Sequence, residues 1–348
     1  MKYSIIVPVF NRPDEVDELL ESLGSQTLKV ASQQEQSDAR INFAEREQAR
    51  TKFKDFEVVI VEDGSQIPCK DVCDKYADIL DLHYYFKENS GPGQSRNYGV
   101  ERAQGEYVVI LDSDAVTPPG FMQAIDDELK RQPTDAWGGP DAAHESFSDI
   151  QKAISYAMTS FFTTGGIRGG KKQLDKKFYP RSFNLGVRRE VYLQLGGFTK
   201  ERFSKMSLYG EDIDFSLRIY KNGYSCRLFP EAWLWHKRRT DFSKFWRQVY
   251  NSGYARINLW RKYPEALKPV HALPAVFTVG VAGLLLLSVF CVLALIPLIL
   301  YSALIFIDST IRNKSVMVGL KSIPAAFIQL IGYGVGFLES LFTKKKHG

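Results

Sequence analysis

From Ala272 to Ile307 the chain runs for 36 residues without an Asp, Glu, Lys, Arg or His. A bilayer core of ~30 Å takes roughly 20 apolar helical residues, so the run reads as membrane-embedded, too long for one untilted crossing and short for two. Pro297 is its candidate kink or turn. A second apolar stretch, Ser322 to Leu338, contains Pro324 and several glycines and is flanked by Lys321 and Glu339, with Lys344, Lys345 and Lys346 beyond. Two crossings with both termini cytosolic fit the basic residues at either end, although Arg312, Lys314 and Lys321 lie between the stretches. A hairpin within 272–307 followed by an interfacial helix is the alternative.

The segment before the run carries nine basic residues (Lys237, Arg238, Arg239, Lys244, Arg247, Arg256, Arg261, Lys262 and Lys268) against Asp241 and Glu265, in a chain of net charge +5. Phe242, Phe245, Trp246, Tyr250, Tyr254, Trp260 and Tyr263 are interleaved with them. Aromatic rings favour the headgroup level, and each Lys or Arg near an anionic surface contributes about 1 kcal/mol. This concentration of charge therefore points to a membrane surface and not to nucleic acid. Residues 237–271 read as a basic aromatic interfacial segment and 272–348 as the membrane region with a Lys-rich tail. The opening Met1-Lys2 and the short apolar run ending at Pro8 do not make a signal peptide, which leaves the first 235 residues expected in the cytosol. Cys69, Cys73, Cys226 and Cys291 are too few and too scattered for a disulfide framework and have no zinc spacing, consistent with a reducing compartment.

The N-terminal part alternates strand-like and helix-like runs. Tyr3–Phe10, Phe56–Val61 and Tyr107–Leu111 are apolar and β-rich. Val16, Leu19, Leu20 and Leu23 share one helix face, Asn97–Ala103 follows a Gly/Pro turn, and Phe121, Ile125 and Leu129 mark a further helix. The alternation predicts an α/β fold, a mostly parallel sheet with helices on both faces, whose ligands sit at the carboxyl ends of the strands. Asn11 and Arg12, Glu62 and Asp63, and Asp112, Ser113 and Asp114 all lie at such ends. A polar stretch at about 29–55 reads as an insertion without chemistry of its own.

Two carboxylates within one turn at a strand end suit a hard divalent cation, although a solvated acidic turn has the same pattern. Gly91-Pro92-Gly93-Gln94-Ser95-Arg96 supplies a flexible backbone at a helix start and a guanidinium able to grip phosphate, without the Gly-Lys-Ser/Thr of a nucleoside triphosphatase loop. Glu211, Asp212 and Asp214 open a helix, where acids are favoured by the dipole and where one of them could serve as a base. His236, after Trp233-Leu234-Trp235, could complete a metal shell, although a lone His is usually structural or on the surface.

In these motifs the chain resembles the family 2 glycosyltransferases of the GT-A fold, which are mostly bacterial. The resemblance rests on Ser4-Ile-Ile-Val-Pro-Val-Phe-Asn-Arg12, Val61-Glu-Asp-Gly-Ser65, Asn89-Ser-Gly-Pro-Gly-Gln-Ser-Arg-Asn-Tyr-Gly99, Asp112-Ser-Asp114 and Gly210-Glu-Asp-Ile-Asp-Phe215, in family order, and covers roughly residues 3–238. It implies a GT-A catalytic domain over 1–236 followed by transmembrane helices, a nucleotide-sugar donor, Mn²⁺ or Mg²⁺, and inversion at the anomeric carbon. By the same resemblance Pro8, Phe10, Asn11, Arg12, Gly91, Asp112 and Ser113 line the donor, Asp63 meets its base or ribose and Arg96 its phosphates. Asp114 holds the metal with Asp112 and His236, and Asp212 is the general base with Glu211 beside it. Gly197, in Gly196-Gly197-Phe198, together with Trp233 and Trp235, falls on the acceptor side. Glu62 stands where many relatives have Asp.

The expected activity is transfer to a membrane-presented, lipid-linked glycan in cell-envelope polysaccharide or glycolipid synthesis at the inner, cytoplasmic membrane. A polyprenyl-phosphate glycosyltransferase is the alternative. A nucleotidyltransferase would want a Gly-rich loop with Lys after the first strand, and Val7-Pro-Val-Phe-Asn-Arg12 does not offer it. A non-catalytic membrane scaffold would have no reason to keep both acidic motifs. Processive synthases carry Gln-x-x-Arg-Trp, and Phe245-Trp-Arg-Gln-Val249 is not that pattern.

Overall fold

The computed structural model describes residues 1–26, 54–142, 144, 146–165, 177–201, 203–204 and 209–343. The polar stretch at 29–55, except Lys54 and Asp55, and the Lys344–Lys346 tail lie outside the described residues. Along the chain, β1 (Tyr3–Val9), α1 (Pro13–Gly24), β2 (Phe56–Asp63), β3 (Asp81–Lys87), α2 (Pro92–Arg102), β4 (Tyr107–Leu111), β5 (Ala115–Val116), α3 (Phe121–Arg131), β6 (Ala136–Gly138) and β7 (Asp141–Ala142) come first. They are followed by α4 (Asp149–Thr159), β8 (Asn184–Arg188), α5 (Glu211–Lys221), β9 (Cys226–Leu228) and β10 (Leu234–His236). Helices α6 (Phe242–Lys262), α7 (Leu273–Ser288), α8 (Ile296–Asn313), α9 (Val316–Phe327) and α10 (Tyr333–Phe342) complete the order. The elements group into two compact units, Met1–Asp141, Lys171–Thr199 and Phe215–His236 forming one, and Ala142–Gly170, Lys200–Asp214 and Lys237–Gly348 the other.

In the first unit, seven strands lie in the order β3-β2-β1-β4-β8-β6-β9. The pairs β1–β2, β1–β4 and β2–β3 are parallel, while β8 runs antiparallel to both β4 and β6. Every residue of β1, β2 and β4 is buried, as expected for central strands covered on both faces. The period of two sorts their side chains. Ile5, Val7, Val58, Ile60, Val109 and Leu111 face one core with Val16, Leu19, Leu20 and Leu23 of α1 and Phe121 and Ile125 of α3. Ile6, Val59, Val61, Val108 and Ile110 face another with Val100 of α2 and Phe215 and Ile219 of α5. Burying each such side chain stabilises the fold by about 1.5–3 kcal/mol.

Trp137 of β6 is fully buried, stacked on Phe229 with ring centroids 5.3 Å apart. Gly186 of β8 lies directly beneath it, and a Cβ there would come within 1.9 Å of the indole ring. Gly186→Ala is therefore expected to destabilise the protein by about 1–3 kcal/mol or more through overpacking. The check is a fall in thermal midpoint with donor KM unchanged in the fraction that remains folded.

In the second unit, Asp241 caps α6 by accepting from the Lys244 N–H at 2.7 Å. Helices α6 and α10 approach closely because glycine stands at the contact. A Cβ on Gly253 would lie 2.1 Å from the Tyr333 carbonyl oxygen, and one on Gly336 2.1 Å from that of Tyr250. Helix α4, capped reciprocally by Ser148 and Gln151, packs Ala153, Ile154, Ala157 and Met158 against Val318 and Ala325 of α9.

Among the described residues, three helical stretches are long and apolar enough to cross a bilayer: Pro269–Ser288 of 20 residues, Val292–Asn313 of 22 and Val316–Phe342 of 27. The uncharged run is not one span but two helices that break at Val289–Cys291, and Pro297 sits in the first turn of α8 and not at the break. The turn needs no polar punctuation, because the N–H groups of Val289, Phe290 and Cys291 all donate to carbonyls of the preceding helical turn. The third stretch is half buried against protein, whereas the first two are 11% buried.

Candidate functional site

Parallel pairing aligns the ends of β1, β2 and β4 on one edge of the sheet, and the polar residues gather there. Asp112 and Asp114 follow β4. Strand β10 runs antiparallel to β5 with His236 opposite Ala115, which brings the imidazole beside Asp114. Among the described residues, Asp112, Asp114 and His236 are the cluster of metal-ligating side chains whose donor atoms all lie within 4.8 Å of one another.

Each carboxylate has one oxygen held by an arginine. Arg12, after β1, donates to Asp114 Oδ2 at 2.7 Å, and Arg96 of α2 donates to Asp112 Oδ1 at 2.7 Å. The other two oxygens face the imidazole, with His236 Nε2 3.1 Å from Asp114 Oδ1 and 3.9 Å from Asp112 Oδ2. Asp114 Oδ1 is buried and makes no hydrogen bond. Burial alone would raise the Asp114 carboxyl, but His236 and Arg12 outweigh it and hold it well below the usual carboxylate range. Phe183 stacks on His236, ring centroids 4.6 Å apart, and fixes the plane of the imidazole. Two carboxylate oxygens and one imidazole nitrogen around a common centre form a donor set able to hold a divalent metal ion. Asp112 Oδ2, Asp114 Oδ1 and His236 Nε2 are the atoms that would hold it.

Nearby, Asn11 stands in the left-handed region with φ 55°, a conformation Asn tolerates. Its N–H donates to Ser65 Oγ at 2.7 Å, and its Oδ1 accepts from the N–H groups of Gln66 and Ile67 at 2.8 and 3.0 Å. Asn11 thus ties the end of β1 to the turn after β2. Asp63, 3% exposed, accepts from Lys87 Nζ and from the Ser90 and Gly91 N–H groups, both at 2.9 Å. Burial would raise its carboxyl, and these donors bring it below the ordinary value. Asp63 therefore organises the glycine turn that leads into α2, with Gly91 at φ 89°. Phe10 is 45% exposed at the same edge, whereas Pro8 and Ser113 are buried.

The acceptor-side candidates fall into two kinds. Gly197, at φ 60°, is enclosed by Asn97 and Tyr192, and its carbonyl accepts from Arg218 Nη2 at 2.7 Å, so it is part of a packed turn. Trp233 and Trp235 are half-buried and meet edge to face at 4.9 Å. Glu211 and Asp212 open α5 and belong to the second unit; Asp212 Oδ1 accepts from the Ile213 N–H at 2.9 Å, and Glu211 is 6% exposed. Lys87 and Phe183 escaped the sequence reading. The one visible signal for Lys87 was its place at the end of the Tyr84-Tyr85-Phe86 run.

Two family models match the chain, "Glycosyl transferase family 2" over residues 4–196 and "Glycosyl transferase family group 2" over residues 107–328. Among curated proteins, glycosyltransferase AglE of Haloferax volcanii is 22% identical over 279 residues, covering 80% of each chain. The glucosyl-dolichyl phosphate glucuronosyltransferase of the same organism is 24% identical over 223 residues, covering 62% of this chain and 70% of its own. Among solved structures, the mannosyltransferase PcManGT from Pyrobaculum calidifontis, in complex with GDP-Man and Mn²⁺, superposes with a TM-score of 0.60 at 18% identity over 98% of this chain and 87% of that one.

Proposed function

The chain belongs to glycosyl transferase family 2, and on that premise we propose that it is an inverting, metal-assisted sugar transferase acting on a lipid-linked acceptor at the membrane. The observation that carries this reading is the meeting of Asp112, Asp114 and His236 at the sheet edge, each carboxylate keeping one oxygen toward the imidazole. The PcManGT complex, with its GDP-Man and Mn²⁺, supports a nucleotide-sugar donor and a divalent cation. The dolichyl-phosphate relative supports a lipid-linked acceptor.

Asp112, Asp114 and His236 are the residues that would hold a divalent cation, which when bound would supply Lewis-acid stabilisation of the departing diphosphate. Arg96 and Arg12 fix the carboxylates from outside, and as guanidiniums beside the phosphate path they also offset the charge that develops there. Asp63, through Lys87 and the Ser90 and Gly91 amides, sets the turn that lines the donor. Asp212 takes the proton from the acceptor hydroxyl. The new bond joins that oxygen to the anomeric carbon on the face opposite the leaving nucleoside diphosphate, which departs with the electron pair of the broken C–O bond.

Helix α6 carries basic and aromatic side chains of the kind that lie at a headgroup surface, which supports an acceptor presented by the membrane and catalysis on the cytosolic side of the cytoplasmic membrane. The test uses full-length protein in nanodiscs with each nucleotide sugar and Mn²⁺. Lipid extracts and polyprenyl-phosphate glycans are compared with free sugars as acceptors. At least a tenfold preference for a lipid-linked acceptor is expected; equal rates on soluble sugars would remove the membrane acceptor from the reading.

A further inference from the structure

The described residues between 200 and 214, which carry the second acidic motif, contact the last turns of α6. Asp214, fully buried, accepts from Lys262 Nζ and from the Tyr263 hydroxyl, both at 2.9 Å. Lys262 Nζ also donates to Glu201 Oε2 at 2.7 Å and lies 5.2 Å from the centroid of the Phe203 ring. Asn258 donates to the Phe203 carbonyl at 2.9 Å. Gly210, at φ 93°, lets the turn approach α6 so closely that a Cβ would stand 2.9 Å from Leu259 Cδ1. Contacts on both sides of 205–208 thus converge on residues 255–263.

A buried ion pair of this kind is weak evidence of added stability, because desolvation offsets much of the attraction; its best-attested use is to set register. Here the register is that of the turn opening α5, two residues before Asp214. We infer that Lys262 and Tyr263 are positioning residues for the reaction, holding Asp214 so that Asp212 is presented correctly to the acceptor hydroxyl. The inference rests on the reading of Asp212 as base. It makes the helix that precedes the apolar stretches part of the catalytic apparatus, acting through Asp214.

Asp214 Oδ1 receives both donors, so losing either one loosens the same oxygen. Removing Lys262 alone also leaves buried Asp214 and half-buried Glu201 without their shared cation, so Lys262→Met on its own confounds position with folding. The experiment therefore compares, in full-length detergent-solubilised protein, Tyr263→Phe, Lys262→Met, Lys262→Arg and the double variant Asp214→Asn with Lys262→Met. It measures kcat, donor KM and thermal midpoint for each, with Asp212→Asn alongside. Misplacing a catalytic group by about 1 Å costs on the order of 10²-fold in rate.

Lys262→Met is expected to lower kcat roughly 10- to 100-fold with donor KM little changed, and Lys262→Arg to restore part of the loss. Tyr263→Phe should give a several-fold fall. The double variant, which removes the buried Asp214 charge together with Lys262, should recover most of its midpoint but not its kcat. If kcat recovers together with the midpoint, the contact is only structural and the inference is overturned. If Asp212→Asn loses turnover while Lys262→Met and Tyr263→Phe keep it, the base stands and the positioning role falls. If Asp212→Asn itself keeps full turnover, the base reading fails and the inference fails with it.

Discussion

Replacing Asp114 by alanine is expected to lower sugar transfer by roughly 10³-fold or more and to remove the Mn²⁺-dependent part of nucleoside diphosphate binding. The estimate follows from the several kcal/mol of charge stabilisation that a bound cation supplies, about 4 kcal/mol being close to 10³ in rate. Asp114 is the strongest choice in the cluster because Arg12 holds its Oδ2 while its buried Oδ1 is left facing His236 Nε2, 3.1 Å away, as a ligand atom. Its removal also leaves the guanidinium and the imidazole facing each other without the carboxylate between them. Asp114→Asn keeps the shape and removes the charge, so it separates ligation from packing. Titration calorimetry of nucleoside diphosphate with Mn²⁺, and again with excess chelator, reads the binding. Wild-type turnover in excess chelator would sink the metal reading.

The same carboxylate has a pH signature whose sign is fixed. Its folded pKa is depressed by His236 and Arg12, so its contribution to stability is present above the unfolded value near ~3.9 and is lost as pH falls through the lower folded value. Wild type should exceed Asp114→Asn in thermal midpoint at neutral pH. The gap should narrow below about pH 4, where the unfolded carboxyl is already protonated.

What was legible beforehand follows from how each element earns its burial. Strands β1, β2 and β4 are covered on both faces, so they show as continuous apolar runs, and the acids that follow them stand out by contrast. Strand β3 was missed because it is a partly exposed edge, Asp81-Leu82-His83-Tyr84-Tyr85-Phe86-Lys87, with charge at both ends and no alternation. Lys87 was missed with it, although it reaches Asp63. Strand β8, Asn184-Leu185-Gly186-Val187-Arg188, has a glycine where the Trp137 ring needs room, and a glycine weakens any strand pattern.

The membrane region shows the same limit. Little in the run from Ala272 to Ile307 marks Val289–Cys291 as a break, because their N–H groups donate back to Leu286 and Leu287 without Gly or Pro, and Ser288 is the one polar residue beside them. The change of composition near His236 is a boundary in sequence, yet segments 142–170 and 200–214 group with 237–348. A chain ended at Trp235 would lack Lys262 and Tyr263, the partners of Asp214. Poor transfer by such a fragment would therefore say nothing about the acceptor, which is why the acceptor comparison calls for full-length protein.

Asp212→Asn is expected to reduce turnover by roughly 10²–10⁴-fold, the range associated with losing general base catalysis, while leaving donor affinity close to wild type. Asparagine keeps the size of the side chain and an oxygen able to accept from the Ile213 N–H, as Asp212 Oδ1 does at 2.9 Å, so the turn is expected to stay in place. Donor affinity is expected to survive because the substitution leaves the donor candidates Arg12, Asp63, Arg96, Asp112 and Asp114 and their mutual contacts unchanged. Glu211 is the neighbouring carboxylate, but at 6% exposure it is buried, and a group that must collect a proton from an incoming hydroxyl needs an open approach. The measurement pairs steady-state kcat with a donor titration on the same preparation. A mutant with near-normal kcat moves the role to Glu211, and Glu211→Gln then becomes the variant that must lose it. A mutant that loses donor binding in proportion to turnover would instead place Asp212 on the donor and leave the proton without an assigned acceptor.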